Sequence, residues 1–440
     1  MKLIHIAPHV GGGVGSVIKG FLEASSKLGC SNEVYCLDHC ESNFESMQPV
    51  EQKEDGIFFK PQRSVLIESL TACDAVILHY WNHPLLAVFL VEVNLPPCRL
   101  IVYCHNSGLF EPHIIPRYIV RLCDRVVFSS GCSLEAPNLK ELISREPEKF
   151  EVIHSTSPLE EFVRIGRNKT IPSVVTNALY LGTVSDIKLH PQAASIFAEL
   201  SRKRLNIKLV GGPNHSEFKR DIDSLGGAVE ITGEINNVEE LFKWAHLFLY
   251  PLREDHYGTG EQVILEAMAS SLPVVTFSNP AEKEILHDPR VLADSSEDFI
   301  KKTIAIRDSW ELYEDISVSN HLTAIERYDY RKSTLKLLKC LERVDSLEKQ
   351  PRTAVIDHRS IDPVVAALVT NTLFAGEELI EQFRDSPQGL AKKYLMSVAK
   401  IHGEVGFSNW RGEEKGVPRH YLKYFRSSSD LLDLLESSMF

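Results

Sequence analysis

Residues 258–275 contain Gly258-Thr259-Gly260-Glu261-Gln262-Val263-Ile264-Leu265-Glu266-Ala267-Met268-Ala269 and, two serines later, Leu272-Pro273-Val274-Val275. A glycine-bearing loop opens a short apolar helix, a proline closes it, and a β-branched apolar run follows at once. Helix leading directly into buried strand is the repeating unit of a parallel sheet covered by helices. Loop amides at such a helix start can hold a phosphate or a sugar hydroxyl. Glu266 sits one and a half turns into the helix among apolar residues. A carboxylate there is costly to bury unless it accepts hydrogen bonds, and ligand hydroxyls would supply them.

The same alternation extends in both directions. Ala178–Leu181, Ile207–Val210, Val229–Thr232, Leu247–Tyr250 and Val274–Phe277 read as strands, with helices at Pro191–Leu200, Val238–Trp244 and Glu261–Ser270. An earlier series has strands at Leu3–Ala7, Glu33–Leu37, Ala75–His79, Leu100–His105 and Arg125–Ser129, with a helix over Ser16–Lys27. The polar stretch Glu160–Pro172 reads as a linker between the two series. The expected fold class is therefore α/β, with a first Rossmann-like domain over 1–165 and a second over 173–345. Residues 346–440 form a mainly helical extension, with helices at Pro363–Phe383, Leu390–Ile401 and Ser429–Ser438. The closing helix of the second domain is expected near Arg327–Val344.

Composition narrows the function. The 440 residues are 43% hydrophobic and 25% charged, which excludes a disordered chain or a fibre. A net charge of −12 makes nucleic-acid binding a poor expectation. Nine cysteines, in an odd count and without metal-type spacing, read as reduced thiols of a cytoplasmic protein. The apolar run Leu85–Leu95 is too short to span a bilayer. The expected location is cytoplasmic, with peripheral contact at the inner membrane face as the alternative.

A second glycine stretch, Gly11-Gly12-Gly13-Val14-Gly15, follows the first strand and opens the first helix. Its spacing is not that of a dinucleotide fold, but backbone N–H groups there could approach an anion. His79, Tyr80 and Trp81 end one strand and His105 another. Ligands of open α/β sheets bind beyond such strand ends, which places the first three on an acceptor side.

These motifs, in this order, resemble the family 4 glycosyltransferases, retaining nucleotide-sugar enzymes of the group 1 type. Besides the two glycine segments, Val102-Tyr103-Cys104-His105, Ala178-Leu179-Tyr180-Leu181-Gly182, Leu209-Val210-Gly211-Gly212-Pro213 and Thr232-Gly233-Glu234-Ile235 carry the likeness, over about residues 1–345. The resemblance implies a GT-B fold, two Rossmann-like domains facing a cleft. It implies a sugar transferred with retention from a nucleotide diphosphate to an acceptor hydroxyl. Glu266 would accept hydrogen bonds from the ribose. Gly12 and Gly13 would lie by the pyrophosphate, and the backbone of Glu234 and Ile235 by the base. His105 would stand near the transferred sugar, and Lys188 would neutralise the leaving diphosphate. Gly258, Thr259, Gly260, Glu261 and Gln262 form the donor loop, with Glu261 joining His105 and Lys188 as catalytic candidates.

Two positions depart from the family pattern. Gly258 stands eight residues before Glu266, where the pattern has its first Glu, and Thr183 stands where the arginine of a basic pair is expected. Glu254 and Glu261 are the nearby substitutes for the first, Arg253 and His256 for the second. The resulting expectation is a hexosyltransferase of surface polysaccharide or glycoconjugate synthesis, using no cofactor and no metal. Its donor would be a UDP-sugar ahead of a GDP-sugar, and its acceptor a glycan, a glycolipid or another hydroxyl compound. No nucleic-acid partner is expected, and self-association or a partner would act through the C-terminal extension. A non-catalytic sugar-nucleotide scaffold and a GT-B epimerase remain the alternatives.

Overall fold

The structure, a computed structural model, describes residues 1–38, 56–59, 63–170, 172, 174–185, 188–212, 215–233, 235, 237–259, 262–354, 361–385 and 417–432. Its strands are β1 (Lys2–Ala7), β2 (Ser31–Cys36), β3 (Gly56–Phe59), β4 (Ala75–Tyr80), β5 (Asn94–Cys98), β6 (Leu100–Cys104), β7 (Arg125–Phe128) and β8 (Phe150–Val152). They continue with β9 (Asn177–Leu181), β10 (Asn206–Val210), β11 (Glu230–Thr232), β12 (Leu247–Tyr250), β13 (Val274–Phe277), β14 (Leu292–Ala293) and β15 (Gln350–Thr353). Two larger sheets result, in the orders β3-β2-β1-β4-β6-β7-β8 and β11-β10-β9-β12-β13-β14. Every pairing within each is parallel.

The apolar runs explain this arrangement. All six residues of β4 and all five of β6 are buried, as parallel strands covered on both faces require. Strand order reverses beside β1 in the first sheet and beside β9 in the second. Such reversals open a crevice at the carboxyl ends of the strands. None of the eight described cysteines is in a disulfide. Among the described residues no helix is long and apolar enough to cross a membrane.

Several local expectations need correction. The stretch taken as a linker contains a helix, Glu160–Asn168. Glu160 and Glu161 in its first turn and Arg167 in its last complement the helix dipole. Gly166 lets it lie so close to Ala269 O that a Cβ would approach within 2.3 Å. The first helix is Gly12–Ser26, so the glycine stretch is its first turn rather than a loop before it. The closing helix, Tyr330–Asp345, lies where it was expected, and it returns to the first sheet. Its Leu337, Cys340, Leu341 and Val344 pack with Leu3, Ile77, Ile101 and Val127.

The extension also differs from the expected simple run of helices. Gln350–Thr353 pairs antiparallel with β5 as a separate two-stranded ribbon. Its Pro351, and Pro96 and Pro97 of β5, hid both strands, yet a ribbon edge tolerates them. The expected helix Pro363–Phe383 is two, Pro363–Thr372 and Gly376–Asp385. The chain folds back at Gly376, where a Cβ would meet Val369 O at 2.3 Å. A further helix, Val417–Tyr424, follows, and residues 429–432 are helical. The expected helix Leu390–Ile401 lies outside the described residues, as does the end of Ser429–Ser438.

Candidate functional site

Between the carboxyl ends of the two sheets lies a cleft of about 830 Å³. The first sheet contributes Gly12 and Gly13 after β1, Trp81 and Asn82 after β4, and His105 and Asn106 after β6. The second contributes Thr183 after β9, Gly211 and Gly212 after β10, Ile235, Lys188, Gly258, Thr259, Gln262 and Glu266. Glu234, Gly260 and Glu261 lie outside the described residues.

Backbone conformation shapes both walls. Gly12 has φ +66°, in the left-handed region that favours glycine. At Gly15 a Cβ would stand 1.8 Å from Val10 O, so the turn closes only without a side chain. Across the cleft, Gly211 has φ +139° and a Cβ there would fall 1.8 Å from Gly182 O. These contacts leave peptide groups, not side chains, on the surfaces a diphosphate would meet.

Glu266 is half-buried on the helix Gln262–Ala269. Burial pushes its carboxyl up to about 7. No side chain among the described residues donates to it, so its carboxylate lacks the hydrogen bonds that would stabilise the charge. Lys188 is buried in the lining of the cleft, its ammonium 5.6 Å from the centre of the Tyr250 ring. Thr183 is buried, and its carbonyl accepts from the Tyr180 hydroxyl at 2.7 Å.

Of the proposed substitutes, Arg253, Glu254 and His256 do not line the cleft, and Glu261 lies outside the described residues. Arg253 forms a two-pronged ion pair with Asp255, 2.9 Å on one prong. Buried His256 donates from Nε2 to Glu282 at 3.1 Å, while its Nδ1 accepts from Gly258 N at 3.0 Å. His256 therefore shapes the loop that delivers Gly258 and Thr259. Glu254 is exposed to solvent.

The two domains meet through this same loop. Gln262 Oε1 accepts from Ser157 N at 2.9 Å and Nε2 donates to Ser155 O at 2.6 Å. The Ser129 hydroxyl reaches Thr259 Oγ1 at 2.7 Å, and Ser107 N donates to Tyr257 O at 3.0 Å.

A chain of three imidazoles runs beneath the first wall. His5 Nδ1 and His79 Nε2 are 3.0 Å apart, as are His79 Nδ1 and His105 Nε2. Asn32 anchors one end. Its Nδ2 lies 3.1 Å from Ser25 Oγ and 3.2 Å from Ser26 Oγ, so Oδ1 faces His5 Nε2 at 3.2 Å. That orientation puts a proton on every Nε2 and makes every Nδ1 an acceptor. The last acceptor, His105 Nδ1, meets the Ser155 hydroxyl at 3.2 Å. Burial holds His79 well below the ordinary histidine range and His105 down to about 3. His105 thus lines the cleft as a neutral ring with both nitrogens engaged.

His79 and Tyr80 require correction as acceptor-side residues. His79 is the middle of the imidazole chain. Tyr80 is fully buried on the other face, its hydroxyl within 3.1 Å of two acceptors, Ile114 O and Asn371 Oδ1. Successive residues of a strand point to opposite faces, and neither face here is the cleft. Trp81, just past the strand end, does line it. Sequence reasoning missed Asn82, Asn106, His113 and Tyr257. Asn82 and Asn106 each sit two residues beyond a strand end, a signal that strand-end placement could have caught. Nothing local marks His113 or Tyr257.

Comparisons with known proteins agree with this geometry. Residues 176–308 match the family model described as glycosyl transferases group 1. None of the curated proteins matches the chain. Among solved structures, a glycosyltransferase from Rickettsia africae shares 14% identity at a TM-score of 0.60, covering 78% of this chain and 98% of its own. HepE from Anabaena, in complex with UDP, shares 14% at 0.58, covering 78% and 100%. A TarM variant from S. aureus, in complex with fondaparinux, α-GlcNAc-glycerol and UDP, shares 9% at 0.59, covering 77% and 99%. The two facing sheets are those of the GT-B fold.

Proposed function

Starting from a GT-B chain with a group 1 glycosyltransferase domain at residues 176–308, we propose a retaining hexosyltransferase that uses a UDP-sugar. The observation that carries it is the convergence of Gly12–Gly13, Lys188 and Glu266 on one cleft. The nucleotide lies against the second sheet, with its ribose hydroxyls on Glu266. The base sits by Ile235. Peptide groups of Gly12, Gly13 and Gly211 face the diphosphate, and the Lys188 ammonium stabilises the charge that develops on it. UDP in the HepE and TarM structures supports uridine as the base.

The acceptor enters from the first sheet's side and attacks the face the diphosphate leaves. The departing phosphate takes the acceptor's proton. This route needs no carboxylate base, and it fits a His105 ring that is neutral and already hydrogen-bonded. Catalysis is then positioning and charge stabilisation, within surface polysaccharide or glycoconjugate synthesis. Residues 1–165, 173–345 and 346–440 serve as acceptor-side domain, donor domain and extension. The work is done in the cytoplasm or at the inner membrane face.

Thermal unfolding with UDP, GDP and their glucose conjugates tests the donor site. A ligand at a hundred times its dissociation constant adds about 2.7 kcal/mol of stability. UDP is expected to raise the melting temperature, and Glu266→Ala to erase most of that rise. No shift with any nucleotide would overturn the reading. Thr183, in place of a second cation, favours a scaffold as the alternative; UDP-glucose bound with neither hydrolysis nor transfer would select it.

A further inference from the structure

The cleft wall on the first sheet holds two polar atoms that the protein leaves unsatisfied. Asn106 is 1% exposed. Its Nδ2 lies 2.7 Å from Asn82 Oδ1, 2.9 Å from His113 O and 3.1 Å from Ile114 O. Three surrounding oxygens fix the amide's orientation, and its Oδ1 is buried with no partner among the described residues. His113 is 5% exposed, and its Nε2 is likewise buried without a partner among the described residues. Its ring packs on Tyr257 across the domain boundary, centroids 4.9 Å apart. Both residues and Trp81 line the cleft. Buried polar atoms without partners are rare in folded proteins and call for an explanation.

The extension secures this wall from behind. Asn82 Nδ2 donates to Ile114 O at 3.0 Å and to Asn371 O at 2.6 Å. Asn371 also binds the Tyr118 hydroxyl, and Phe374 N donates to Glu111 Oε1 at 2.7 Å. The helix Pro363–Thr372 and its continuation therefore pin both ends of the segment that presents His113. The solved structures reported above cover 98–100% of their own length but 77–78% of this chain. About a fifth of this chain thus lies beyond the shared fold.

We propose that Trp81, Asn106 and His113 form an acceptor subsite for a neutral pyranose, its ring on the indole and two hydroxyls on Asn106 Oδ1 and His113 Nε2. The proposal rests on the transferase reading above and names its acceptor class. A hydroxyl donates to the amide oxygen, and another pairs with the imidazole nitrogen in either sense. Burial holds His113 down to about 4, so the ring is neutral near pH 7. An amide oxygen repels an anion and a neutral imidazole supplies no compensating charge, which disfavours uronates and phosphates. The flat indole suits the C–H face of a six-membered ring better than an open-chain polyol.

Saturation-transfer NMR on the full chain with saturating UDP tests this. The probes are the methyl α-pyranosides of glucose, galactose, mannose and N-acetylglucosamine, with methyl glucuronide and glycerol beside them. Saturation of ring C–H protons is expected for at least one neutral pyranoside. The signal should fall at least fivefold in His113→Phe, which keeps the stack on Tyr257, and in Trp81→Leu. UDP affinity should stay within twofold in His113→Phe, and that variant decides the matter if Trp81→Leu fails to fold. Unchanged signals in His113→Phe would overturn the subsite. Glucuronide or glycerol binding as well as every pyranoside would overturn the ligand class, and no pyranoside bound in the presence of bound UDP would overturn both. Failure of the wild-type chain to bind UDP would instead overturn the donor-site reading beneath.

Discussion

Glu266 gives the sharpest prediction. Its carboxyl is moved from the ordinary 4.5 to about 7 by burial alone. Holding it ionised in the ligand-free protein therefore costs at most about 3 kcal/mol. A raised carboxyl keeps the folded state free of this penalty below pH 4.5. The stability is lost as the pH climbs through 7. Glu266→Gln removes the charge and should recover up to that amount at pH 8 and nothing at pH 4.5. For a domain of this size 1 kcal/mol moves the melting temperature by about 2–4 °C. The variant should melt several degrees above wild type at pH 8 and converge with it toward pH 4.5, while losing UDP affinity. Ribose hydroxyls donating to the carboxylate favour its charged form, so UDP binding near pH 7 should release about half a proton. Isothermal titration calorimetry in buffers of different ionisation enthalpy reads that release directly, and Glu266→Gln should abolish it. Buffer-independent heats in wild type, with parallel melting curves for the two proteins across pH, would refute the reasoning.

Other outcomes follow from the same geometry. Lys188→Met should lower turnover on the order of a hundredfold while the protein remains folded, since one stabilising charge is lost at the leaving group; steady-state kinetics checks it. Gly211→Ala should destabilise the second domain by about 3 kcal/mol through the clash with Gly182 O and the positive φ, read in urea unfolding. His79, His83, His105, His113 and His420 are all held below the ordinary histidine range by burial. Each contributes stability that is present above pH 6.5 and lost as the pH falls below it. Unfolding should therefore steepen between pH 6.5 and 5, and imidazole NMR signals of His105 should show no titration between pH 8 and 5.

The fold was legible because parallel strands buried on both faces leave unbroken apolar runs. Leu3–Ala7, Ala75–His79 and Val274–Phe277 needed no tertiary information. What failed to show were elements stabilised by particular neighbours. The helix Glu160–Asn168 looked like linker because its burial depends on one glycine lying against Ala269. Strands β5 and β15, rich in proline, exist only because they pair with each other. The same division holds in the site. Trp81, Glu266 and the glycine turns announced themselves by place in the chain. His79 and Tyr80 misled because a strand end does not say which way a ring points. His113 could not be found at all, since its place in the cleft comes from a segment held by residues more than 250 positions away.

The return of the helix Tyr330–Asp345 to the first sheet has a consequence for synthesis. The second domain is one continuous stretch and can close while the chain is still emerging. The first cannot. The face carrying Leu3, Ile77, Ile101 and Val127 is covered by residues 337–344, and its other face by the helix Pro363–Thr372. At about 5–20 residues per second, the nascent first sheet waits roughly 10–40 s between its last strand and its missing cover. During that interval a row of apolar strands stands open beside the ribosome. Chaperone dependence, or production at low temperature, is thus written into the order of the chain rather than into the stability of the finished protein.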